Sequence, residues 1–215
     1  MTGPARAAAA GRAPLSGPWP GQGAAPQAPA MVASPCTRPT LIFNRTSLPG
    51  VVTAESAAVA DERGSFTRTY VADLFAAHGL TAVLSVTARA SNTRARTLRG
   101  LHYQTEPHGE TKLVSCARGT IFDVVVDVRA GSPTRYRWVA TVLDASRGNA
   151  IYIPAGFAHG YLTLTDDAVV LYQMTDSHAP GAERGLRWDD PTLAIDWPVA
   201  PELISPRDSA LPHLG

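Results

Sequence analysis

The chain has 215 residues and a formal net charge of +1, enough for one well-buried domain and too little for two of ordinary size. So balanced a charge gives no global field for nucleic acid or an anionic membrane, and recognition of an anion must rest on a local cluster. No apolar run approaches the roughly 20 residues that cross a bilayer, and Cys36 and Cys116 form no paired motif of a zinc site or disulfide scaffold; a reducing, cytoplasmic setting is the expectation.

Of the first 30 residues, 21 are Ala, Gly or Pro, and no continuous apolar stretch interrupts them. Such a composition cannot bury enough surface to offset the entropy of ordering it, and it lacks the apolar middle of a secretory signal. Residues 1–40 are therefore expected to form a disordered tail, and residues 41–215 a folded domain.

From Leu41 onward, short runs rich in Val, Ile, Thr and aromatics alternate with turn clusters: Leu48-Pro49-Gly50, Asp61-Glu62-Arg63-Gly64, Ala130-Gly131-Ser132-Pro133, Arg147-Gly148 and Thr165-Asp166-Asp167. That rhythm predicts an antiparallel sandwich or barrel. Asp73 to His78 is the one helix the pattern suggests, with Asp73 as its N-cap and Gly79 as its stop. Along Arg99 to Gln104, strand alternation puts Leu101 and Tyr103 on one face and Gly100, His102 and Gln104 on the other. Glycine, histidine and glutamine make poor core and good pocket lining. Ile121 to Val128 reads as a central strand covered on both sides. Tyr136 to Leu143 and Ala168 to Met174 read the same way. The class is all-β with few short helices.

Gly148, five residues, then Pro154-Ala155-Gly156-Phe157-Ala158-His159 resembles the second cupin motif, with His159 pointing inward from the strand after the turn. The first cupin motif supplies His-x-His and a later Glu to a metal, whereas this chain has His102-Tyr103-Gln104 and Glu110 at an uncertain spacing. Three good ligands are not assured, so neither metal nor other cofactor is expected. Lys112 is the only lysine, against 18 arginines. Its compact ammonium suits a position where a point charge matters.

The ordered words RGLHYQ (99–104), KLV (112–114), FDV (122–124), SPT (132–134), IPAGFAHG (153–160) and RWDDP (187–191), then Trp197-Pro198, together with DERGSFTRTY (61–70), resemble the dTDP-4-dehydrorhamnose 3,5-epimerase family. The resemblance runs from about Leu41 to Leu214 and implies a cupin-type jelly-roll. It implies four catalytic positions: His102 as general base, Asp208 as its partner, Lys112 on the enolate oxygen, and Tyr172 as acid on the opposite face. It also implies substrate contacts at Arg63, Phe66, Arg68, Arg99, Gln104, His159, His178, Glu183 and Arg207. The substrate would be a nucleotide-linked 4-keto-6-deoxy sugar, with dTDP as carrier, and the protein a homodimer. Arg68 stands where many members have glutamate, His178 where a tyrosine commonly stacks on thymine, and Arg96 where a glycine is usual. The segment Val86 to Arg96 lacks the glutamine and asparagine that help hold the sugar.

The chemistry has its own logic. A proton beside a ketone is acidic only if the enolate is stabilised, which a cation in a dry pocket provides. An imidazole backed by a carboxylate can take that proton near neutrality. Two other functions fit parts of the pattern: a metal-dependent cupin using His102, Glu110 and His159, and a non-catalytic sugar-nucleotide binder.

Overall fold

The computed structural model describes residues 41–81 and 83–214; Cys36 and the expected tail lie outside the described residues. The domain is a sandwich of two sheets, not a closed barrel. Its strands are β1 (Leu41–Arg45), β2 (Val52–Ser56), β3 (Val59–Asp61), β4 (Gly64–Phe66), β5 (Val86–Asn92), β6 (Thr97–Gln104), β7 (Lys112–Arg118), β8 (Thr120–Asp127), β9 (Trp138–Asp144), β10 (Ala150–Ile153), β11 (Phe157–Thr163), β12 (Ala168–Met174), β13 (Glu183–Gly185) and β14 (Leu203–Ile204). Two short helices accompany them, α1 (Ala72–Ala77) and α2 (Pro206–Ser209). One sheet runs β1-β2-β10-β7-β12-β5 and the other β13-β6-β11-β8-β9, with β14 joining β6 in parallel. The remaining pairs are antiparallel, and β3 and β4 form a hairpin bonded to neither sheet.

Alternation sorts the side chains into three apolar layers. Between the sheets lie Val114, Ile121, Val125, Ile151, Phe157, Tyr161 and Val170. Outside the six-stranded sheet, Phe75 of α1 packs on Leu41, Val52, Leu113 and Tyr152. Outside the other sheet, Leu186, Leu193, Ile195, Trp197 and Leu214 of the C-terminal segment cover Leu101, Val124, Val126 and Ala158. The strand β8 is thus covered on both faces, as its apolar run predicts.

Two elements depart from the sequence reading. The helix α1 begins at Ala72 with Val71 in the N-cap position and no side-chain cap, so Asp73 is not the cap but lies in the first turn, where its charge still suits the helix dipole. Burial of Phe75 sets the helix position and overrides capping preference. Gly79, at φ +71°, ends it as expected. β9 starts at Trp138 instead of Tyr136, because Tyr136 adopts a left-handed φ of 64° and its N–H closes a turn on the Asp127 carbonyl at 2.7 Å.

The backbones of β6 and β11 approach unusually closely. A Cβ on Gly160 would lie 2.6 Å from the Arg99 carbonyl oxygen, and one on Gly100, whose φ is +113°, 2.6 Å from Gly160 Cα. Only glycine fits either position. The approach sets His102 opposite His159 across the ladder, with a register shift between His159 and Tyr161. At the far end of β8, the buried Asp127 gathers Arg129 Nη2 at 2.7 Å, Ser132 Oγ at 2.6 Å and Thr134 Oγ1 at 2.6 Å. Burial opposes its charge, but these donors outweigh burial and hold the carboxyl far below the usual range.

Gly160→Ala must push backbone against backbone, and a loss of about 1–3 kcal/mol in denaturant unfolding is expected. Asp127→Asn is expected to lose about 2 kcal/mol at neutral pH, after allowance for the partly exposed Arg129. Because the folded carboxyl titrates below the unfolded one, its contribution is complete above roughly pH 4 and disappears as pH falls through the depressed value. The gap in unfolding temperature between the two proteins should therefore persist from pH 8 to 5 and narrow only in strong acid.

Candidate active site

Inward-facing residues of both sheets surround a cavity of about 240 Å³ lined by Ala88, Arg99, His102, Lys112, His159, Tyr161, Tyr172 and Met174. The five-stranded sheet contributes Arg99 and His102 from β6 and His159 and Tyr161 from β11. The six-stranded sheet contributes Lys112 from β7 and Tyr172 and Met174 from β12, where Met174 pairs with Lys112 in the ladder. The volume suits one sugar ring and falls short of the roughly 300–1,000 Å³ of pockets that engulf a whole drug-sized ligand.

Asp208 stands behind His102. Ser205 caps α2 by accepting the Asp208 N–H at 3.0 Å, and Pro206 occupies its first turn. β14 pairs with Thr97 and Leu98 of β6 and so brings α2 to the site. The Asp208 carboxylate accepts from His102 Nε2 at 2.8 Å and from Gly100 N–H at 3.2 Å. Burial works against its charge, but the hydrogen bond and charge of His102, with Gly100 and Ser205, prevail and hold the carboxyl below its ordinary value. Since an ionised carboxylate only accepts, the proton of neutral His102 sits on Nε2, which leaves Nδ1 as the basic nitrogen.

A second histidine is held the same way. His159 Nε2 lies 2.8 Å from Asp123 Oδ2, with both residues buried. Burial pushes the Asp123 carboxyl up, against the pull of His159 and Lys112. Lys112 Nζ pairs with Glu110 Oε1 at 2.9 Å, the two side chains about one-tenth exposed. Burial also raises the Tyr172 phenol well above its ordinary value, so it is protonated at neutral pH. The cavity thus holds an imidazole with a free nitrogen, an ammonium and a neutral phenol.

The positions read from the sequence separate into three groups. His102, Lys112, Tyr172, Arg99 and His159 line the cavity, with Asp208 directly behind. Gln104, His178, Glu183 and Arg207 form a neighbouring cluster outside that lining. Gln104 Oε1 accepts the Ala179 N–H at 2.7 Å, and Glu183 pairs with Arg207 and lies 3.8 Å from His178. Arg63, Phe66 and Arg68 sit on or just beyond the β3–β4 hairpin, exposed; Arg63 pairs with Asp61, and the Arg68 guanidinium lies 5.4 Å from the Phe66 ring centre.

The sequence reading missed Asp123, Asn92 and Tyr161, and gave Glu110 only a metal-ligand role. A signal existed for Asp123, since a carboxylate within a strand covered on both faces must have a partner. Glu110 turns to Lys112, and His102 and His159 each turn Nε2 to a carboxylate. Among the described residues no three His, Cys, Asp or Glu side chains converge as metal ligands, so the donor set of the metal-dependent alternative is not assembled.

Residues 45–215 match the family model described as dTDP-4-dehydrorhamnose 3,5-epimerase. A protein of that name from Sinorhizobium fredii is 48% identical over 119 residues, 55% of this chain and 61% of that protein. The dTDP-4-dehydrorhamnose 3-epimerase of Streptomyces niveus is 40% identical over 149 residues, 69% of this chain and 72% of that one. The crystal structure of the Bacillus anthracis dTDP-4-dehydrorhamnose 3,5-epimerase, with TDP and pyrophosphate bound, superposes with a TM-score of 0.79 at 33% identity, covering 81% of this chain and all of that one. By its sequence over four-fifths of its length and by its sandwich, the chain belongs to the dTDP-4-dehydrorhamnose 3,5-epimerase family.

Proposed function

We propose that the chain inverts C3, C5 or both in a 4-keto-6-deoxyhexose carried on dTDP, with His102 as base, Lys112 on the enolate oxygen and Tyr172 as acid. One observation carries the reading: an imidazole tied at 2.8 Å to a buried carboxylate shares a one-ring cavity with an ammonium and a neutral phenol. In the forward step, His102 Nδ1 takes the proton beside the ketone. The C–H electron pair becomes the enolate double bond, and the carbonyl pair moves onto oxygen, where Lys112 offsets the new charge in a low-dielectric site. Asp208 supports the imidazolium that results. Tyr172 then gives its proton to the other face of the carbon, and the enolate returns to the ketone inverted.

The carrier is read from two facts. The Bacillus anthracis relative holds TDP and pyrophosphate, and a cavity sized for one ring leaves a nucleotide over its mouth. There Arg99, within the lining, and His159 suit diphosphate oxygens, with Arg207, Glu183, Gln104 and His178 beside them. Arg63, Phe66 and Arg68 join the site in a homodimer. The supporting features are a β3–β4 hairpin with every residue exposed, Phe66 at 61%, and an outer sheet face around Thr87, Ser115, Leu171 and Gln173 that α1 does not cover. A second copy would cover that face and take up the hairpin. Among the described residues no helix is long and apolar enough to cross a membrane. A reducing cytoplasm suits the free thiol of buried Cys116.

Deuterium wash-in from D2O at C3 or C5 of a dTDP-4-keto-6-deoxyhexose, followed by NMR, tests the chemistry. His102→Ala should reduce exchange by about 10²–10⁴-fold, the worth of a positioned general base. Lys112→Ala should reduce it by about 10²–10³-fold, the worth of one oxyanion donor. Near-native exchange in either variant removes the role given to that residue. Sedimentation at micromolar concentration should give a dimer, and a monomer alone would remove the homodimer.

A further inference from the structure

Glu110 meets the one lysine of the chain, and the reaction above gives it no task. Its Oε1 lies 2.9 Å from Lys112 Nζ, with the side chains of Glu110 and Lys112 11% and 10% exposed. The backbone that carries both charges is fixed to the end of β12. Thr111, between them, donates its N–H to Thr175 Oγ1 at 3.0 Å and accepts the Thr175 N–H on its carbonyl at 3.1 Å.

In the ladder Lys112 is flanked by Ile153 of β10 and Met174 of β12, and neither side chain carries an oxygen. The other carboxylates of the site are already engaged, Asp208 with His102 and Asp123 with His159. Among the described residues, Glu110 is thus the one carboxylate that pairs with the ammonium. A lysine has a flexible four-carbon stem and three donors. Glu110 takes one donor, which holds Nζ at the cavity wall and leaves two for a ligand oxygen. Its charge also opposes an enolate, so distance decides which effect wins. An oxygen bonded to Nζ stands about 3 Å from the ammonium and about 5 Å from the Glu110 oxygen, and attraction exceeds repulsion by the inverse-distance law.

We propose that Glu110 is a positioning residue for Lys112: it fixes Nζ where the enolate oxygen forms and acts on the reaction only through that ammonium. The proposal rests on the reading under Proposed function. No bond to Glu110 forms or breaks in the reaction. The sign of its effect depends on Lys112. With the lysine present, the carboxylate aims a cation; with the lysine removed, the same carboxylate is left unpaired beside the forming enolate and works against it.

The test is a double-mutant cycle of Glu110→Ala and Lys112→Ala, read as kcat and KM for deuterium wash-in to dTDP-4-keto-6-deoxyglucose. In the otherwise native chain, Glu110→Ala should lower kcat about 10- to 100-fold, the worth of a hydrogen bond to a charged group. KM and the affinity for dTDP should stay near native, because the charge on oxygen develops only in the transition state. The loss should not exceed that of Lys112→Ala, and in the Lys112→Ala background the same change should leave exchange equal or faster. Glu110→Gln keeps an oxygen that accepts from Nζ and should recover most of the lost rate. Where Glu110→Ala does not fold, Glu110→Leu, which keeps the bulk without an acceptor, takes its place in the cycle. Unchanged exchange, additive losses, a loss carried by KM, or a glutamine variant as slow as alanine would overturn the proposal. A native chain without any exchange overturns the reading of function instead, and the role of Glu110 falls with it.

Discussion

The carboxylate of Asp208 is the constraint around which the site is arranged. It accepts from His102 Nε2 and from Gly100 N–H at once, which fixes both the imidazole and the strand that carries it. The two residues of that pair are 106 positions apart in sequence. Their meeting requires β14 to lie beside β6, Ser205 to cap a single turn of helix, and the C-terminal segment to cover the outer face of the sheet. The same sheet must let β6 and β11 nearly touch at Gly100 and Gly160, or the two histidines would not face each other. Fold and site are therefore one set of contacts.

The chemistry of the cavity follows from how its charges are supported. Two imidazoles lean on two buried carboxylates, and the one lysine leans on Glu110. In a low-dielectric interior each of these groups would be expensive alone. Paired, they are held in orientation with little freedom to lose when a ligand arrives. The phenol of Tyr172 is the exception: burial keeps it neutral, and its neighbour is another phenol. Basic and acidic groups thus face one small space without neutralising each other.

Much of this was legible in the residues. Alternation in RGLHYQ separates Leu101 and Tyr103, which pack outward, from His102, which faces in, whereas Arg99, of the same parity as Leu101, also reaches the cavity beside the register shift between β6 and β11. The apolar run of β8 likewise announces a strand covered on both sides. Less legible was whatever depends on partners distant in sequence. Asp123, Glu110 and Asn92 are unremarkable in their local words and acquire meaning only beside His159, Lys112 and Arg99. The helix α1 shows the opposite failure: Asp73 is a good cap by type, but burial of Phe75 places the helix start two residues earlier. Arg96, flagged as standing where a glycine is usual, does adopt a left-handed φ of 57° and is held there by Glu202 and by backbone bonds to Thr163, Glu202 and Leu203.

The cavity's modest size has a consequence for how such a protein can diverge. A compartment one ring wide, walled by side chains from rigid strands, confines bond-making to an interior that tolerates little substitution. The exposed β3–β4 hairpin and the charged cluster of His178, Glu183 and Arg207 outside the cavity lining face no such packing constraint. Residues of the interior and of these exposed regions can therefore drift at different tempos. Departures such as Arg68 and His178 fall in these exposed regions, where a substitution leaves the packed interior as it was.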